Sequence, residues 1–103
     1  MLDAANEALS FAEGKSMADI ESDRMLALSL IKEIEIIGEA ARTVSEEFKA
    51  NNPQLPWYEI VGMRHHLIHV YFDVDLGVLW STVTRDLPQL VRELEKIHSD
   101  VAG

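Results

Sequence analysis

The sequence predicts an all-α fold, a small up-down bundle of about four to five helices in one domain covering residues 1–103. Three observations predict it. Apolar residues recur at three- and four-residue steps along most of the chain. Breakers are sparse, with 5 Gly and 3 Pro, too few for the turns of a many-stranded sandwich. Hydrophobic residues make up 48% of 103 residues, ordinary for a folded domain but near the lower limit of length that buries an adequate core.

Leu2 to Glu13 reads as a first helix, since Leu2, Ala5, Ala8, Leu9 and Ala12 fall on one face and Gly14 follows as a stop. Ser16 with Asp19 three residues on forms an acidic capping box for one short turn through Ile20. Ser22 or Asp23 then caps a long helix, expected from Asp23 to Ala50. Its stripe is Leu26, Leu30, Ile34, Ile37, Ala41, Val44 and Phe48, and a second row, Met25, Leu28, Ile31, Ile36 and Ala40, widens it. So wide an apolar surface needs cover on more than one side, part of it from a second copy. Gly38, mid-helix, implies close approach of another backbone.

Asn51-Asn52-Pro53 ends that helix. Pro56 suits a first helical position, so Pro56 to Val61 is expected as a short helix that stops at Gly62, with Trp57 and Ile60 as core anchors. Asp73 to Asp75 reads as a turn with a capping acid. A last helix is expected from Leu76 to His98, its inner face lined by Leu76, Leu79, Trp80, Val83, Leu87, Leu90, Val91, Leu94 and Ile97. Pro88 should kink it near Thr84 or restart it at Leu87. His98 supports the helix C-terminus, and Ser99 to Gly103 is expected to fray.

The chain has no cysteine, which excludes disulfides, thiolate zinc sites and cysteine nucleophiles, and fits a cytoplasmic setting. The N-terminus lacks the basic start and apolar core of a signal peptide. No apolar run approaches the roughly 20 residues of a membrane span, so no membrane partner is expected. The net charge is −9, a field that repels nucleic acid at long range, so general coating of DNA or RNA is not expected. A nucleic acid substrate could still be handled at a local basic site, or by an assembly with a basic partner.

One stretch is such a site. From Ile60 to Phe72 there is no acid, yet the stretch holds Arg64, His65, His66 and His69. His moves protons near neutral pH, and Arg is a permanent cation whose fork matches phosphate oxygens. Together they suit phosphodiester cleavage in RNA, where the 2′-hydroxyl supplies the nucleophile and neither a metal nor a cofactor is required. His65 and His69 also have the i, i+4 spacing of a metal pair, but Asp73 is the nearest acid to complete it, and no metal is expected. Glu39, set between Ile37 and Ala40, should have a partner if it is not simply exposed. Arg64 is the candidate, in which case Glu39 orients the site.

Arg64, four residues, His69, one residue and Tyr71 reproduce the Arg-x4-His-x-Tyr motif of HEPN-domain proteins, and the flanks resemble their HepT-like branch. The matching blocks are Ile36-Ile37-Gly38-Glu39-Ala40-Ala41, Leu55-Pro56-Trp57 with Ile60, Gly62-Met63-Arg64, Leu67-Ile68-His69, and Tyr71-Phe72-Asp73-Val74-Asp75 with Trp80 and Asp86-Leu87-Pro88. His65 stands where the branch often has Asn, and the N-terminal helix is short for the branch. The resemblance implies a homodimeric bundle whose two motifs face each other in a cleft. It implies a metal-independent ribonuclease toxin with Arg64 and His69 catalytic; His65 and Glu39 are candidate supporting residues on the reading of the residues beside them, not on the resemblance. It also implies a minimal nucleotidyltransferase antitoxin as partner, with Tyr71 the acceptor of AMP. The alternative is a non-catalytic helical partner or substrate of such a transferase, and a third reading is a plain dimerisation scaffold.

Helical spacing adds a condition. Residues five apart lie about 140° around an ideal helix, so one straight helix does not aim Arg64 and His69 at the same point. Either two copies meet in a cleft, or the helix breaks near His69.

Overall fold

The computed structural model describes residues 1–69 and 73–102; for His66, Ile68, His69, Asp73 and residues 98–102 it describes the backbone alone. The helices are α1 (Leu2–Ala12), α2 (Met17–Ser22), α3 (Arg24–Thr43), α4 (Glu46–Asn51), α5 (Trp57–Leu67), α6 (Leu76–Ser81) and α7 (Leu87–Ala102). A π-helical stretch, Thr82–Asp86, joins α6 to α7 without a break. Counting α6 to α7 as one rod gives six helices among the described residues, a little above the expected number because short turns flank the long ones. One two-residue ladder interrupts the all-helical pattern, with Ile68 opposite Val74 and His69 opposite Asp73 in antiparallel register.

Local sequence explains most boundaries. Gly14 adopts φ +73°, the left-handed region that a glycine enters freely after a helix. The Asp19 carboxylate accepts from the Ser16 backbone N–H at 2.7 Å and from its hydroxyl at 3.0 Å. These bonds to Ser16 hold the Asp19 carboxyl below the usual range. Asp23 caps α3 by accepting from the Leu26 N–H at 3.2 Å, and Asp75 caps α6 by accepting from Val78 at 3.0 Å.

Three expected boundaries are corrected. The long helix does not reach Ala50: it ends at Thr43, Val44 is extended, and Ser45 starts α4 by accepting from the Phe48 N–H at 3.1 Å. A serine one residue past an extended valine offers the backbone a cap that competes with helix continuation. The helix after Pro56 does not stop at Gly62 but runs on to Leu67. Leu67, fully buried, ties its last turn to the core and outweighs the weak stop signal of one glycine. The C-terminal backbone, expected to fray from Ser99, is helical to Ala102, with no breaker between His98 and that point.

Pro88 acts through the π stretch. A proline lacks the N–H that would bond residue 84, and its ring crowds that carbonyl. The helix widens instead, with the Leu87 N–H donating to the Thr82 carbonyl five residues back. Thr82 and Thr84 hydroxyls donate to the carbonyls of Val78 and Trp80 at 2.9 and 2.7 Å. The helix therefore neither stops nor restarts.

The core runs along α3. Leu30, Ile34, Ile37 and Ala41 are fully buried, against Ala5 and Ala8 of α1, Ile60 and Leu67 of α5, and Leu79, Val83 and Leu87 of the last rod. A Cβ on Gly38 would lie 3.4 Å from the Val61 carbonyl oxygen and 3.5 Å from that of Ile60. This is the expected backbone approach, and it seats α5 on α3. Trp57 anchors the start of α5, its indole N–H donating to the Asn52 carbonyl at 3.0 Å while Phe48 meets it edge-on at 6.1 Å.

The domain is a slab of 43 × 30 × 17 Å with a radius of gyration of 14.0 Å, above the roughly 13 Å of a rounder chain this long. A slab this thin leaves one face of α3 uncovered. Met25, Leu28 and Ile36 from the second apolar row are 79, 50 and 41% exposed.

Glu33 is buried within α3, at 6% exposure. Burial, then a hydrogen bond with Glu7 and the charge of Glu7, raise its carboxyl above the usual range. An acid raised on folding adds stability at acid pH, below its unfolded value, and loses it as pH rises through the folded value. Glu33→Gln is therefore expected to raise the thermal midpoint at neutral pH and to flatten its fall between mildly acid and neutral pH. Melts across that range check this; an unchanged slope would remove Glu33 as the source.

Candidate active site

Arg64 sits in the last turn of α5, carried there by the core contacts of Ile60 and Leu67 on the same helix. Its side chain crosses to α3, where Nε donates to Glu35 Oε1 at 2.8 Å. Arg64 is 47% and Glu35 32% exposed. The guanidinium is thus reachable from solvent and held on one edge. With Nε occupied, the two terminal nitrogens are the part of the fork presented to a ligand.

This corrects the expected partner of Arg64. Glu39 does not reach it; it pairs with Arg42 one turn along α3 and is exposed. The Arg42 hydrogen bond and charge hold the Glu39 carboxyl below its usual range, and Glu39 raises Arg42 in return. Glu35, the residue the sequence reading missed, lies one helical turn before Glu39 on the same face. That i, i+4 relation was the available signal. Deciding between the two acids needed the crossing of α3 and α5, which the carbonyls over Gly38 set.

The helix ends between the two motif residues. Leu67 closes α5, its carbonyl accepting from the Asp75 N–H at 2.8 Å, and Ile68 and His69 are extended. The expected break near His69 is present. The side chain of His69 and all of Tyr71 lie outside the described residues. His65 is exposed on α5 beside Arg64, and no hydrogen bond or ion pair to it occurs among the described residues.

The pair makes a prediction. Glu35→Gln keeps the shape but loses the charge-assisted bond that orients Arg64. Because the pair is half-exposed it is worth only about 0–1 kcal/mol of stability, so the thermal midpoint should barely move. If Arg64 acts on a phosphate, kcat for RNA cleavage should fall by about 10–100-fold through misplacement, while KM does not rise. A rise in KM with kcat unchanged would instead make Glu35 part of substrate binding.

Among the described residues no helix is long and apolar enough to cross a membrane. The family model described as ribonuclease HepT-like matches residues 1–97. A candidate RNase of Methanocaldococcus jannaschii is 36% identical over 92% of this chain and 87% of its own length. A candidate HepT ribonuclease of Thermococcus cleftensis is 43% identical over 78% of this chain and 73% of its own. A candidate RNase of Caldanaerobacter subterraneus is 36% identical over 82% and 76%. No solved structure matches the chain. A family model matching residues 1–97, and relatives 36 and 43% identical over most of this chain and of their own, lead to one conclusion: this chain belongs to the HepT-like ribonuclease family.

Proposed function

We propose that the protein is a metal-independent endoribonuclease, the toxin of a toxin–antitoxin pair, acting as a homodimer through Arg64 and His69. The observation that carries this reading is the placement of Arg64, half-exposed and held by Glu35, three residues before the helix ends and the chain turns extended toward His69. The uncovered Met25, Leu28 and Ile36 face of α3 shares its helix with Glu35 and supports a second copy there. Such a dimer would bring two motifs to one cleft.

The chemistry follows from the residue types. The 2′-oxygen attacks phosphorus as its proton passes to an imidazole; the bond to the 5′-oxygen breaks, and that oxygen takes a proton. The products are a 2′,3′-cyclic phosphate and a 5′-hydroxyl. The free edge of the Arg64 fork faces the charge that grows on the non-bridging oxygens. Tyr71 is the proposed acceptor of AMP from a minimal nucleotidyltransferase antitoxin. Its oxygen would attack the α-phosphorus of ATP and release pyrophosphate. The added anion beside Arg64 would cancel the charge that RNA needs.

The test is cleavage of RNA by the purified protein in excess chelator, with cyclic phosphate ends as the expected product. Activity that disappears with chelator, or ends that carry a 3′-hydroxyl, would defeat the reading. The net charge of −9 favours a second reading, a non-catalytic substrate of the transferase. In that case Tyr71 accepts AMP but no RNA is cut.

A further inference from the structure

A groove enclosing about 920 Å³ runs between α5 and the rod formed by α6, the π stretch and α7. Its floor is apolar and well packed, with Leu55, Ile60 and Leu90 all buried. On its rim stands Tyr58, 91% exposed, an aromatic ring that the fold itself does not use. The rest of the rim is polar, with more acids than bases. Glu59 of α5, Asp86 at the end of the π stretch and Glu93 of α7 line it, against a single described cation, Arg92. Glu93 is paired with Lys96 at 3.3 Å. Glu59 and Asp86 have no ion-pair partner among the described residues.

We infer that this groove docks a Lys- or Arg-bearing amphipathic helix of a partner protein. The apolar floor supplies area for its aliphatic face, as in other helix-in-groove complexes. Glu59 and Asp86 meet its cations, and the open face of Tyr58 offers a cation–π contact. RNA does not fit, because the rim presents carboxylates to phosphate. A second copy seated groove to groove is disfavoured, because it would bring two rims with more acids than bases together. The groove is lined by Met63 while its neighbour Arg64 reaches the other way, to α3. A docked helix would therefore touch α5 without covering the guanidinium. The inference stands whether or not the protein cuts RNA.

The absence of cysteine allows one reporter: Gln89→Cys, on the groove wall, labelled with an environment-sensitive dye. The probes are a synthetic amphipathic helix of Leu and Lys and its counterpart with Glu in place of Lys. The Lys peptide should change the emission saturably and the Glu peptide should not. Glu59→Lys with Asp86→Lys should weaken binding at least about tenfold, whereas Glu13→Lys with Glu21→Lys, equal in charge and off the groove, should not. Equal weakening by both pairs would reduce the effect to net charge and overturn the inference. So would no saturable response to the Lys peptide, or equal binding of the Glu peptide. A drop in oligomer size on scattering for the groove variant alone would assign the groove to a second copy and overturn it as well.

Discussion

Arg64→Ala is expected to lower RNA cleavage by about 10²–10³-fold, the usual loss when one charge-stabilising donor is removed from a site. His69→Ala is expected to lower it by about 10²–10⁴-fold through lost proton transfer. The double variant should lose little more than the worse single one if, as proposed, the two act on one transition state. Folding should survive the Arg64 change. Arg64 is half-exposed and its pair with Glu35 contributes little to stability. Single-turnover cleavage with matched melts and scattering checks this. Full activity in either single variant would remove that residue from the mechanism. Loss of activity with loss of fold would be read against Glu35→Gln, which disturbs the orientation of Arg64 and leaves the core alone.

The largest effect on stability is expected from Ile34→Ala. Ile34 is fully buried at the centre of α3, with Leu30 and Ile37 on the same stripe and helices packed on both sides. Truncating such an isoleucine costs about 2–5 kcal/mol, because the surrounding helices close the cavity only in part. A domain of this size has only about 5–15 kcal/mol to lose, so the isolated domain should be largely unfolded at modest denaturant. A second copy on the exposed face of α3 would offset part of this, making the loss smaller at high protein concentration. Denaturant melts at two concentrations separate the cavity from the assembly. A change under about 1 kcal/mol would mean that α3 is not the core helix.

These expectations also mark which parts of the molecule could be read in one dimension. The helical class and the core stripe of α3 were legible, because both depend on periodicity and the stripe Leu30, Ile34, Ile37 and Ala41 is buried as its spacing required. Capping by Asp23, Asp75 and the Ser16–Asp19 pair was legible too, since each bond spans at most three residues. The close backbone approach at Gly38 followed from the cost of a glycine inside a helix. Competing local signals were harder. Ser45 broke a stripe that periodicity carried on to Phe48, and Gly62 failed to stop a helix whose end was pinned by Leu67.

The family was written along the chain, since the match to it covers residues 1–97. The partner of Arg64 was not. Glu35 and Glu39 share a face of α3, and both were chemically able to pair with an arginine 29 or 25 residues away. Only the angle and depth at which α5 lies on α3, set by the carbonyls of Ile60 and Val61 over Gly38, bring Arg64 within 2.8 Å of Glu35. The acidic groove is likewise a product of packing, since Glu59, Asp86 and Tyr58 have no sequence pattern in common. Short-range bonds and periodicity are written along the chain. Contacts between helices depend on how side-chain volumes fit, which appears only when the helices are laid together.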